Sequence, residues 1–220
     1  MAIARYVADA DTTITNAFEA DLSTRGTGSN MGYADSIEIF SIYGQTSGSA
    51  GQSQELSRAL MRFPITSIIS DRTAGAIPAS GSVSFYLRVH NAAHPFTLPQ
   101  DFSLTVTPVS RSWTEGTGLD MDEYKDLGTA NWLRATDSVD WTSIGGDYIS
   151  IDPGSTYTIT FEQGYEDIEL DVTRIVEQWV DGTHDNYGFG IHLVAADEAY
   201  FSSSTGADTS VLIDNPTGAQ

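Results

Sequence analysis

The chain has no cysteine, so it holds no disulfide, no zinc–thiolate centre and no thiol nucleophile, and its redox compartment stays open. Cations are scarce as well. Lys and Arg number 10 against 30 Asp and Glu, for a formal charge of −20 and charged residues at only 18% of the chain. Such a surface repels phosphate and anionic membranes, and it lacks the cationic footprint that DNA or RNA binding requires. The plain reading of this acidity is a soluble surface adapted to salty surroundings. No run approaches the ~20 apolar residues of a membrane span, so no membrane insertion is expected. The start, MAIARYVADADTTI, has one early Arg but no apolar core, so it does not read as a signal peptide. The expectation is synthesis in a cytoplasm and release without standard secretion.

Reactive motifs are missing too. There is no G-x-S-x-G elbow and no Gly-rich phosphate loop. His90, His94, His184 and His192 are scattered, none with a metal-ligand partner at close helical spacing. Carboxylates abound, yet no pair stands out as an acid/base couple. Glu115 with Asp120 is the pair weighed, and solvated turn residues are the preferred reading of both. A hydrolase would need an activated nucleophile or a distinct carboxylate pair, so the chain is expected not to be an enzyme.

Period-two alternation is what the chain has in quantity. SVSFYLRVH sets Val83, Phe85, Leu87 and Val89 on one side; RALMRFPI does the same with Ala59, Met61, Phe63 and Ile65, placing Arg58 and Arg62 opposite. DFSLTVTPV offers Phe102, Leu104 and Val106, TYTITF offers Tyr157, Ile159 and Phe161, and GFGIHLV offers Phe189, Ile191 and Leu193. DSIEIFSIYG adds Ile37 and Ile39. Turn-rich stretches such as 44–53 and 205–210 separate these runs. The pattern predicts antiparallel strands with one wet face, in an all-β, jelly-roll-like β-sandwich. One segment breaks the rhythm: in LDVTRIVEQWVDG, Val172, Ile175, Val176, Trp179 and Val180 recur at helical spacing. A short amphipathic helix is expected near 171–181, with Asp171 as N-cap, Gly182 at the stop and Trp179 in the core. At 220 residues, with no repeat, heptad or linker, residues 1–220 read as a single domain.

Two ligand classes remain to be weighed. Trp113, Tyr124, Trp132 and Trp141 fall in or near the loop-rich 111–148 region; flat rings of this kind stack on the apolar C–H patches of sugars, so they form a candidate sugar platform, with packing as the favoured alternative. Asp120, Asp122 and Glu123 in GLDMDEY are candidate ligands for calcium, as are Asp9 and Asp11 in ADADTT, since hard cations take loop oxygens. Neither stretch fits an EF-hand. No other cofactor is implied.

Several segments, in order, resemble the DNRLRE domain, a family of β-sandwich modules. VADADTTI and NMGYADSIEI look like its first strand and following turn, SRALMRFPITSI its Arg-containing strand, and IPASGSVSFYLRV the strand after a Pro-small-Gly turn. VSRSWTEGTG is similar to its W-T/S-E-G-T element, and IELDVTRIVEQWVDGTHDNYGFGIHL to its closing helix and strand. The resemblance covers most of 1–194. It implies a jelly-roll-like sandwich without catalytic residues, in which Trp113, Glu115 and Gly116 serve the scaffold. It also implies a module of secreted or surface proteins, some members being regarded as carbohydrate-binding. The stretches GTGLDMDEYKDLGTANWLRA and ELSRALMRFPITSIISDRTAGAIPASGSVSFYLRVHNAAHPFTLP look more like versions in tailed phages of marine or cyanobacterial hosts. The expectation is a virion structural protein made in the host cytoplasm and displayed on the capsid or tail exterior, touching other virion proteins as a homo-oligomer or repeated copies. The alternative is an extracellular module that grips a host-surface polysaccharide. The tail, about 205–220, is expected to be extended or completed by a partner.

Overall fold

The computed structural model describes residues 3–42, 54–93, 97–119, 127–149, 156–198, 200–202 and 211–213. Its strands are β1 (Ala10–Thr15), β2 (Ser41–Ile42), β3 (Glu55–Arg62), β4 (Tyr86–Val89), β5 (Phe102–Pro108), β6 (Tyr157–Phe161), β7 (Ile168–Asp171), β8 (Phe189–Leu193), β9 (Tyr200–Ser202) and β10 (Val211–Ile213). Among the described residues three helices accompany them: α1 (Ile65–Thr73), α2 (Thr173–Val180) and α3 (Ala195–Glu198). The main sheet runs β1-β3-β8-β5-β6, with β2 also on β3, while β4–β7 and β9–β10 form two-stranded ribbons. Every one of these pairings is antiparallel. The fold is all-β with short helices, as the alternation predicts. Among the described residues, no helix is long and apolar enough to cross a membrane.

β3 explains the layering. Its odd positions Ala59 and Met61 join one buried cluster, and its even positions Leu56 and Leu60 join another. The first cluster takes the inward rows of the expected strands: Leu104 and Val106 of β5, Phe161 of β6, and Phe189, Ile191 and Leu193 of β8. Opposite them pack Leu87 of β4, Ile168 of β7 and the apolar stripe Ile175, Val176 and Trp179 of α2. The layer facing the main sheet is therefore a two-stranded ribbon plus helices, narrower than the second sheet that a jelly roll supplies.

The helix near 171–181 is present as α2. Asp171 accepts the Thr173 amide at 2.9 Å, although Val172 holds the N-cap position and makes no side-chain cap bond. Gly182 follows the last turn at φ +78°, a left-handed residue that ends the helix. Trp179 is buried and meets Phe189 at 4.9 Å between ring centroids. Helix α1 corrects the expected reach of the RALMRFPI strand. Arg62 ends the ladder, Pro64 stands at the N-cap, and Ile65 begins a helix, because a proline donates no ladder hydrogen bond but fits a helix start. Arg72 of α1 clamps Glu177 of α2 with two hydrogen bonds at 2.6 and 2.8 Å. Ile37 and Ile39 pack against the first cluster, but pairing there begins only at Ser41.

The expected wet face is a second correction. On β1, Thr12, Thr13 and Thr15 are buried, as is Ser57 on β3. Their hydroxyls bond to main chain: Thr15 donates to the Leu56 carbonyl at 2.8 Å, and Ser57 donates to the Glu38 carbonyl at 2.9 Å. Bonded in this way, a hydroxyl avoids the desolvation penalty that burial otherwise brings. In the expected tail, β10 pairs with the chain's own β9; the remainder of 205–220 lies outside the described residues.

Ile191 is 1% exposed in a strand flanked on both sides. Ile191→Ala is expected to cost about 2–5 kcal/mol of folding free energy, against under ~0.5 kcal/mol for Thr158→Ala on the exposed row, as read by urea unfolding.

Candidate functional site

The second face of the main sheet is covered by loops of residues 109–119 and 127–149, and three of the sequence-predicted site residues fall there. Trp113, Trp132 and Trp141 are 3%, 0% and 5% exposed. Their ring faces are closed to a sugar, which corrects the platform reading. The fourth member, Tyr124, and the calcium candidates Asp120, Asp122 and Glu123 lie outside the described residues. The Trp113 indole N–H donates to the Tyr187 carbonyl at 2.8 Å, and that of Trp141 to the Asn131 carbonyl at 2.8 Å. The Trp132 N–H is buried without an acceptor, but the Arg58 guanidinium lies 5.2 Å from that ring's centroid. Arg62 stands over Trp113 in the same manner at 5.9 Å. The two arginines that alternate away from the first core thus lie on tryptophans, Arg58 buried and Arg62 half-exposed beside Asp9.

Polar side chains pin the loops of this layer. Asn30 is 1% exposed and uses both ends of its amide: Nδ2 donates to the carbonyls of Glu115 and Ala130, and Oδ1 accepts the amides of Gly32 and Gly118. Gly116 sits beside it at φ +82°, where any Cβ would run into the Asn30 amide. Glu115 accepts the Asp11 amide at 2.9 Å, so it ties the loop to β1 and is no free turn residue. Burial, then the neighbouring Glu115 charge, raises the Asp11 carboxyl above its ordinary value. Asp9 pairs with Arg62 at 3.0 Å. Among the described residues, no group of three acidic or imidazole side chains gathers as a metal site.

The densest collection of ionisable groups was not anticipated. Arg58 on β3 donates Nε and Nη2 to the two Glu198 oxygens at 2.8 and 2.7 Å, and Nη1 to the Gly145 carbonyl at 2.9 Å. Tyr148 donates its hydroxyl to the same carbonyl at 2.8 Å, and burial pushes its pKa up to about 12. The Tyr148 ring lies on β8 over Gly190, where a Cβ would occupy the ring's place, and 5.1 Å from the His192 ring. Because the Leu193 carbonyl can only accept, His192 carries its proton on Nδ1, 2.7 Å away. Burial first, then the positive charge of Arg58, holds the imidazole below its usual range. The sequence signal for this site was slight: an Arg on a β-strand and a Glu about 140 positions later.

Beside this cluster opens a depression of about 920 Å³, lined by Arg58, Arg111, Ser143, Ile144, Asp147 and Tyr148 among others. Asp147 organises its rim by accepting the Thr142 and Ser143 amides at 2.9 and 2.8 Å and the Arg111 Nε at 3.0 Å. Arg111 spends its other nitrogens on the Asp140 carbonyl and the Thr142 hydroxyl, each at 2.7 Å. No family model, curated protein or solved structure matches the chain. Chemically, the arrangement is a clamp. Every nitrogen of both guanidiniums is engaged and the Tyr148 phenol is held protonated, so these groups fix the loops of 127–149 and helix α3 to the sheet.

Arg58 and Glu198 are 11% and 9% exposed at their side chains. Glu198→Ala would strand the arginine's charge, at a cost of about 3–5 kcal/mol in urea unfolding. The depressed His192 pKa has a definite sign. Below its ordinary value of 6.5 the unfolded chain binds a proton that the folded chain refuses. Stability is therefore expected to fall as pH drops through that value, and His192→Gln to flatten that part of the profile, measured by urea midpoints on either side of it.

Proposed function

We propose that this chain is a non-enzymatic structural component of a tailed-phage virion, displayed on the capsid or tail exterior as a decoration, fibre or adhesion element. The observation that carries the reading is the role taken by the W-T-E-G-T element. Trp113 seats in the core, Glu115 holds β1, and Gly116 admits Asn30. Those are scaffold roles, in keeping with the resemblance to DNRLRE modules. The ionisable clusters support the same reading, because Arg58–Glu198, Arg72–Glu177 and Arg111–Asp147 are each spent joining distant segments. A rigid sandwich-like body with pinned loops is suited to contact with neighbouring proteins, and fold alone does not assign the partner. Mass spectrometry of purified particles is expected to find the chain at a fixed stoichiometry to the major capsid or tail protein; particles without it would remove the reading.

A second reading, recognition of a host-surface polysaccharide, draws on the depression. Ser110, Thr142 and Ser143 line it with Ile144, which is 36% exposed, and together they offer hydroxyls and a small apolar face of the kind a neutral sugar engages. Retention on a polysaccharide gel, weakened at least about tenfold by Ser143→Tyr, is the expected result for this reading. Tryptophan substitutions would be uninformative there, since they unpack the core.

A further inference from the structure

The two ends of the main sheet are treated differently. At the β1 end, Thr12, Thr13, Ile14 and Thr15 are 0–1% exposed, and the Met31 and Glu38 amides donate to the hydroxyls of Thr12 and Thr13. Segment 31–38 thus lies over that strand. At the β6 end, Thr158 and Thr160 are exposed, Tyr157 and Ile159 are half-buried against the first cluster, and no described strand lies beyond. An outermost strand offers unpaired main-chain donors and acceptors, which proteins usually blunt with charge, proline, a bulge or a cover. The β4–β7 ribbon has such charges, in the Arg88–Glu169 and His90–Asp167 pairs. TYTITF of β6 and its lead-in (156–161) has no charge, no proline and no glycine, in a chain of net charge −20.

We infer that the outer edge of β6, the last described strand on that side, is a self-pairing surface, where two copies of this chain join antiparallel strands about a two-fold axis. The sequence favours a second copy as the occupant because it reads alike in both directions about Ile159. With Ile159 opposite its own equivalent, Tyr157 faces Phe161 of the second copy and Thr158 faces Thr160. Apolar residues then meet apolar residues on the inward row and extend the first core across the junction, while hydroxyls meet hydroxyls on the outward row. Two chains of −20 repel over most of their surface, and this strand lets them approach without opposing carboxylates. An isologous contact of this kind closes as a dimer and uses the β6 edge of both copies. The inference stands whether or not the chain resides in a virion.

Sedimentation equilibrium of the full chain, from micromolar to millimolar concentration, is expected to show a shift from 23.7 kDa to twice that mass. Thr158→Lys/Thr160→Lys and Thr158→Glu/Thr160→Glu change exposed positions, and each sets like charges opposite one another in the two-fold register. Each double variant alone should remain monomeric, and an equimolar mixture of the two should recover the doubled mass. A wild-type chain that stays monomeric throughout, or a dimer that survives in both double variants, would overturn the inference. Hydrogen exchange on the wild type gives a readout independent of the variants. The β6 amides that point away from β5 should gain protection as concentration rises, and protection that does not change with concentration also overturns it.

Discussion

The structure depends on burying both faces of β3. A strand with two buried faces needs two layers, and the chain builds them by different physics. One layer is apolar packing: the inward rows of β5, β6 and β8 meet α2 and the β4–β7 ribbon. The other is three tryptophans, two of them under arginines, with loops held by side-chain amides and carboxylates that bond to main chain. Dispersion and area burial stabilise the first layer. In the second, order comes from hydrogen bonds to main chain, because an unpaired buried group costs roughly 1–3 kcal/mol, a cost that the Trp132 indole N–H bears.

The second layer gains its order without a ladder of strands. Asn30 joins residues 32, 115, 118 and 130 through one amide, and Asn131 and Asp147 do the same over shorter spans. Arg58 crosses from the sheet to Glu198 on α3 and to Gly145 in the loops. Loops pinned at so many points present their outward side chains on a fixed frame, the property that a contact surface requires.

The first layer could be read from the sequence almost strand by strand, because alternation with a period of two reports which side chains share a face. Leu104, Val106, Phe161, Phe189 and Ile191 fall where that period places them. Helix α2 was legible from the 3.6-residue recurrence of Ile175, Val176 and Trp179. The second layer was not, and the reason is physical. Thr12, Thr13, Thr15 and Ser57 have the composition of a solvent face, and only their hydrogen bonds make burial tolerable. Arg58 reads as water-facing by charge, although a guanidinium over an indole ring and bonded to a carboxylate can be buried. Helix α1 was hidden because its sole buried residue is Ile68, too little to set up a stripe, and because the apolar alternation of β3 runs on through Pro64. The Arg58–Glu198 clamp joins residues so far apart that no local pattern could signal it.

The strand order also constrains how the chain assembles. β8 lies between β3 and β5, so Ala59 and Val106 both wait for Ile191 before their shared ladder exists. Until then β3 is paired only with β1 and, at Glu55 and Leu56, with the short β2, and no ladder links it to the β5–β6 pair. Long-range closure of this sort is entropically slow. The β1–β3 and β5–β6 pairs are therefore joined only through a strand that follows both in the chain, one whose Gly190 leaves room for the Tyr148 ring.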